Sequence, residues 1–166
     1  MMSNSQRRIA ELEEKLHQAC WDEDYGCHNR KGLELLVWPE IKARARWLVF
    51  FDLDYLHDLN EKMGGYPPVN AMIRQVLAVV RSSDHKACRW QSGDELLVII
   101  TETESRKADD ISVAEGMVKR LQESLAAQGM AATFAIEPVR SLDLAETVAP
   151  AIEKVFEAKK ARGVSR

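Results

Sequence analysis

The sequence predicts an α+β fold: a mixed sheet of about five strands flanked by helices, with an extra helix at the N-terminus. Three observations carry this. "WLVFFDLD", residues 47–54, is an apolar run of strand length that ends in acids, and reads as a central strand. Residues 86–91 and 95–101 are two more strand-like stretches joined at Ser92-Gly93, so two strands follow each other with no helix between them. That hairpin excludes a purely parallel doubly wound sheet. The remaining segments carry apolar residues at helical spacing, best seen at Met72, Ile73, Val76, Leu77 and Val80.

The elements follow in order. Residues 5–20 form a polar helix with a thin stripe of Ile9, Leu12, Leu16 and Ala19. The stripe has the a/d spacing of a pairing helix, and two heptads are too short to be stable alone. Residues 1–21 are therefore read as a dimerisation helix and residues 22–166 as the main domain. "WDEDYGCHNRKG" reads as a loop. Residues 30–45 are helical with an interruption at Pro39. After the central strand comes a short helix, 55–63, closed by Gly64-Gly65. Pro67-Pro68 suits the start of the next helix. Ser112 with Glu115 has the spacing of a capping box, opening a helix that ends at Gly129. "AATFAIE", residues 131–137, is a further strand. The last helix has Pro150 near its start and runs toward Arg162.

The chain of 166 residues has the length of one domain, with 46% apolar and 30% charged residues, as in soluble globular proteins. A net charge of −3 argues against duplex nucleic acid as a partner but leaves room for a local phosphate pocket. "MMSNSQRRIAELEEK" has no apolar core and predicts no signal peptide. No apolar run approaches membrane-spanning length. Cys20, Cys27 and Cys88 read as reduced thiols, which predicts a cytoplasmic location away from membranes. Cys27-His28 finds no second Cys/His pair at metal-ligand spacing.

The acids carry the chemistry. Asp52 ends the first long strand, and Asp94 and Glu95 open the third, in "RWQSGDELLVII". Taken alone, such acids are solvated loop residues. If the two strands are neighbours, however, the carboxylates converge and suit a hard divalent cation. A site with few protein ligands expects substrate phosphates to complete the shell. The haloacid-dehalogenase-like phosphatases also begin with an apolar strand and DxD, but Leu56 stands where that family needs Thr or Val.

Together these pieces resemble the GGDEF family of nucleotide cyclases. "DEDYGCHNR" keeps Asp22, Gly26, Asn29 and Arg30 of the opening D-x-L-T-G-L-x-N-R. "DLDYLHDLNEKMGG" keeps Asp52, Leu53, Asp54, Leu59, Asn60 and Gly64 of the next pattern. The signature appears as "SGDEL", residues 92–96, and the closing A-D-x-A-L-Y-x-A-K as "AIEKVFEAK". The resemblance implies a palm-like sheet, one nucleoside triphosphate and Mg²⁺ (or Mn²⁺) per subunit, and a homodimer. Each 3′-hydroxyl would attack the partner's α-phosphate. By that analogy Asp52, the Leu53 carbonyl and Asp94 ligate metal, and Glu95 adds charge and assists deprotonation. Backbone amides of Tyr55 and Leu56 meet phosphates, Gly93 lets the hairpin approach the ligand, and Lys159 and Arg162 hold the triphosphate tail. Asn60 contacts the base.

Departures from the family pattern set further expectations. Ser92 and Leu96 replace Gly and Phe conservatively. His57 replaces a Lys and weakens a phosphate contact at neutral pH. Val69 falls where the family places a base-contacting Asp. An apolar residue there leaves guanine's N1–H and N2–H₂ unpaired. ATP is thus expected to be accepted at least as readily as GTP, as in minimal CRISPR-polymerase-like palm domains, giving a cyclic di-adenylate or mixed dinucleotide. "RSSD", with Arg81 and Asp84, has the letters of the family's inhibitory motif but lies two residues out of register. The alternative is a degenerate domain that binds nucleotide and regulates a partner.

Overall fold

The computed structural model describes residues 2–91 and 93–164. A six-stranded mixed sheet forms the centre. Helix α1 (Asn4–Ala19) comes first, opened by a capping box in which Ser3 and Gln6 exchange side-chain and backbone bonds. None of its residues is buried, and Ile9, Leu12 and Leu16 are 55%, 50% and 42% exposed.

The stretch expected to be a loop instead carries strands β1 (Trp21–Asp22) and β2 (Cys27–Asn29), an antiparallel ribbon at the sheet edge. They are too short to show a period of two. Their turn is closed by Asp22, whose Oδ1 accepts from the Tyr25 amide at 2.8 Å. Asn29 then straps the ribbon to its surroundings: Nδ2 donates to the Ala19 carbonyl, and Oδ1 accepts from the Gly32 amide. Gly32 cannot carry a side chain, because a Cβ there would stand 2.1 Å from the Cys20 carbonyl oxygen.

Helices α2 (Arg30–Gly32) and α3 (Trp38–Ile41) are joined by a π-helical turn, Leu33–Val37. The path stays helical through Pro39, which sits in the first turn of α3, where its missing N–H costs least. Strand β3 (Ala45–Leu53) follows, then helices α4 (Leu56–Lys62) and α5 (Tyr66–Arg81). Strands β4 (Lys86–Arg89) and β5 (Glu95–Thr101) make the expected hairpin. Ser92, its anticipated turn residue, lies outside the described residues.

Helix α6 (Ser112–Ala127) lacks the expected capping box. Its N-cap is Ile111, and Asp110 Oδ1 accepts from the Ser112 amide instead, two residues before the helix. After strand β6 (Ala132–Pro138), helix α7 (Leu144–Arg162) starts at an Asp143 cap, so Pro150 lies inside it rather than near its start.

Strand order is β1-β2-β4-β5-β3-β6, with β3 antiparallel to both β5 and β6. Side chains alternate across the sheet. Val49, Phe51, Leu53, Leu96, Val98 and Ile100 face a core shared with α5 and α6. Leu48, Phe50, Leu97 and Ile99 face the opposite core, closed by α3 and α7. This alternation decides where the acids go.

Candidate active site

The register pairs Asp52 of β3 directly with Glu95 of β5, and the Leu53 amide donates to the Asp94 carbonyl at 3.1 Å. The two acid-bearing strand ends are thus neighbours. The carboxylates nevertheless diverge. Asp52 and Glu95 fall in phase with Phe50 and Leu97 and line a cavity of about 210 Å³ under α7, with Val155, Phe156 and Lys159. Asp94 lies one step out of phase and lines a second cavity, about 290 Å³, with Tyr55, His57, Asn60, Tyr66 and Gly93. Among the described residues no three His, Cys, Asp or Glu side chains cluster tightly enough to form a metal cage.

Lys159 is placed differently from expectation. Its ammonium is buried, bonded to Asp52 Oδ1 and to the Leu53 carbonyl at 2.9 Å, with Asp54 Oδ1 at 3.4 Å. The two oxygens expected to bind metal thus converge on one point, where this cation sits. The donor set is all hard oxygen and fits Mg²⁺ or Mn²⁺ in kind. Asp94 is not part of that cluster. Arg162, one turn on, bonds Thr133 Oγ1 and approaches Asp54 Oδ2 at 3.4 Å. Asp54 itself accepts from Thr133 Oγ1 at 2.8 Å.

The second cavity carries most of the expected nucleotide contacts. Tyr55 is the only residue other than glycine with positive φ among the described residues, at 56°. A left-handed residue of this kind stores strain, here between the acidic strand end and α4. Its ring is half exposed. His57 is exposed and sits 3.4 Å from Glu61. Asn60 is buried with its Oδ1 unpaired, an orphaned acceptor at the cavity wall.

Val69 requires correction. It is fully buried in the α5–α6 core and lines neither cavity. The helix period explains this: Val69 precedes Ile73 by four residues and Val76 by seven, and so shares their inward face. The exposed wall of the cavity from this helix is Tyr66. Arg81 and Asp84 are also apart: Arg81 bonds the carbonyls of Gly26 and Arg74, while Asp84 lies 4.0 Å from Arg106.

Two residues of the site were missed in the sequence, Tyr25 and Arg89, which both bond the Gly93 carbonyl. Arg89 also pairs with Asp22 at 3.0 Å. The signal available was Asp22, a motif acid with no metal role, which needs a cationic partner.

A six-stranded mixed sheet flanked by helices, with acids at paired strand ends and a lysine from the last helix, defines an α+β domain. The family model described as "Diguanylate cyclase, GGDEF domain" matches residues 21–161, and the chain belongs to the GGDEF family. Its fold is similar to that of diguanylate cyclase SiaD of Pseudomonas aeruginosa, solved with its activator SiaC, at 18% identity and TM-score 0.67. That match covers 93% of this chain and 65% of the SiaD chain, so this chain spans just under two thirds of its length. A sensory box/GGDEF family protein of Caulobacter crescentus matches at 21% identity and TM-score 0.67, covering 86% and 99%. The coiled coil and GGDEF domain of DgcB from the same organism, in complex with c-di-GMP, matches at 16% identity and TM-score 0.63, covering 96% and 92%. No curated protein sequence matches the chain.

Proposed function

We propose that this domain is a cyclic-dinucleotide synthase that condenses two nucleoside triphosphates across a homodimer. The observation that carries the reading is the register Asp52↔Glu95, with Asp94 at the hairpin beside the cavity of the orphaned Asn60 amide. In the reaction each bound 3′-hydroxyl attacks the partner's α-phosphorus; a P–O bond forms, the bond to pyrophosphate breaks, and Glu95 takes up the proton. Asp52 and the Leu53 carbonyl would hold the metal in place of the Lys159 ammonium, and Asp94 would complete the set from the side of the Asn60 cavity. Mg²⁺ or Mn²⁺ there would neutralise the triphosphate and stabilise charge at the transferred phosphoryl group. Backbone amides at Tyr55 and Leu56 face the phosphates, and Arg162, half exposed, supplies cationic charge to the tail, while Lys159 stays with the acids at the strand end.

For the base, Asn60 offers both a donor and an acceptor and so serves adenine and guanine alike. Val69 is buried outside this cavity and reads neither base, so Asn60 is the group at hand to meet the purine edge. We therefore expect ATP to be used at least as readily as GTP. The unburied stripe of α1 supports pairing of two copies, and DgcB, which the chain resembles, includes a coiled coil.

Incubation with Mg²⁺ and ATP, GTP or both, followed by mass spectrometry, tests the reading. A cyclic dinucleotide is expected; no product from any combination at high protein concentration overturns it. A second reading is favoured by the Lys159 bonds to Asp52 and Leu53: a domain that binds nucleotide without turnover and regulates a partner. Calorimetry with a non-hydrolysable triphosphate separates the two.

A further inference from the structure

The hairpin tip that carries Asp94 is held by bonds rather than by packing. A Cβ built on Gly93 would meet nothing within 4 Å, and its φ of 124° is one that glycine alone adopts readily. Its carbonyl, by contrast, accepts three bonds: from Tyr25 Oη at 2.8 Å, Arg89 Nη2 at 3.0 Å and Arg89 Nε at 3.2 Å. Tyr25 is 1% exposed, and the Arg89 guanidinium lies 3.9 Å from its ring centroid. Arg89 is fixed in turn by Asp22, with Asp24 at 3.8 Å. On the far side of the hairpin the Leu53 amide holds the Asp94 carbonyl at 3.1 Å. The backbone is thus pinned on both flanks of the residue whose side chain enters the Asn60 cavity.

We propose that Tyr25 is a positioning residue for the nucleotide site, its phenol setting the hairpin so that Asp94 faces the bound triphosphate. The inference rests on the function proposed above. The family pattern has Thr at this position, and a Thr hydroxyl on a short side chain could not span what the Tyr25 ring spans. Burial pushes the Tyr25 phenol up to about 12, so it remains a donor throughout the neutral range. Arg89 alone would leave the carbonyl bonded but free to swing about the guanidinium. The phenol supplies a second, rigid direction.

Tyr25→Phe removes the bond and keeps the ring under Arg89. The Leu53 amide reports on the hairpin, because it donates to Asp94; the Val49 amide, mid-strand in β3, reports on the sheet. In Tyr25→Phe the Leu53 amide should exchange about tenfold faster with Val49 unchanged, the mark of local rather than global opening. Affinity for a non-hydrolysable ATP analogue with Mg²⁺ should fall about tenfold by calorimetry. Turnover should fall on the order of tenfold to a hundredfold in kcat, as for a small misplacement of a catalytic group, with KM for nucleotide rising less. Unchanged Leu53 exchange, or equal acceleration of Leu53 and Val49 with a lower melting temperature, overturns the proposal. If the wild type neither binds nor converts ATP or GTP, the functional reading fails, and the exchange pattern alone still decides whether the phenol pins the hairpin.

Discussion

Lys159 and Asp52 form an ion pair inside the protein, their side chains 5% and 3% exposed, although 106 residues separate them in the chain. The lysine reaches down from α7 because Asp52 falls in phase with Phe50 on that face of the sheet. Breaking such a pair leaves a buried charge without its main counter-charge, although Asp54 stays within 3.4 Å of the lysine. Lys159→Met and Asp52→Asn should each lose about 3–5 kcal/mol of stability. The double variant removes both charges together and leaves Asp54 to Arg162, and should lose less than either single one. Urea denaturation of the four proteins measures the cycle, and additive losses would contradict the pairing.

Val69 lies wholly within the core, so a carboxylate there is a folding problem before it is a specificity device. Val69→Asp should destabilise by several kcal/mol and should not raise guanine use in any folded fraction. Asn60→Ala should instead weaken binding of both purine triphosphates by about tenfold with a small effect on the melting temperature. Calorimetry and thermal melts together test the assignment; a folded Val69→Asp protein with a strong new preference for GTP would reverse it.

Ile9 and Leu16 lie on a helix with no residue buried in the protomer. Replacing both with Asp should leave the melting temperature of the monomer nearly unchanged while lowering the association constant tenfold or more, on the order of 1.4 kcal/mol. Light scattering across a concentration series shows this directly, and cyclase activity should fall in parallel. Unchanged activity in a protein that is monomeric at every concentration would remove the dimer from the mechanism.

His85 is buried, and its Nδ1 accepts from the Thr101 amide at 3.2 Å, which requires an unprotonated nitrogen. Burial, then the Arg106 and Arg120 charges, lower its pKa from 6.5 to about 4. Between those two values the unfolded chain binds a proton that the folded chain does not. The His85 contribution is therefore complete above pH 6.5 and is lost as pH falls toward 4. His85→Asn, which keeps an acceptor, should flatten this part of the stability profile. An equal slope in both proteins would place the titration elsewhere.

Much of this was legible in the residues, and the exceptions have physical causes. The apolar run 47–54 and the hairpin at 92–93 announced the central strands, and the acids at their ends announced the site. The two-residue β1 and three-residue β2 offered too few positions for a period to show. A proline is better tolerated in the first turn of a helix than in an interior one, so Pro150 points to a later start than the Asp143 cap gives. The four-residue step from Val69 to Ile73 places Val69 on the inward face of α5, which a motif position alone does not show. Which cavity each acid enters depends on strand phase, and one residue separates Asp94 from Glu95. The Tyr25 bond to Gly93 spans 68 residues, beyond any local pattern.

The ammonium of Lys159 among the oxygens of Asp52, Leu53 and Asp54 gives the domain its own counter-ion. A nascent chain can close its sheet around these acids without waiting for a divalent ion, so its birth is independent of the magnesium supply that its chemistry would draw on. Chelators should therefore leave folding yield and melting temperature untouched.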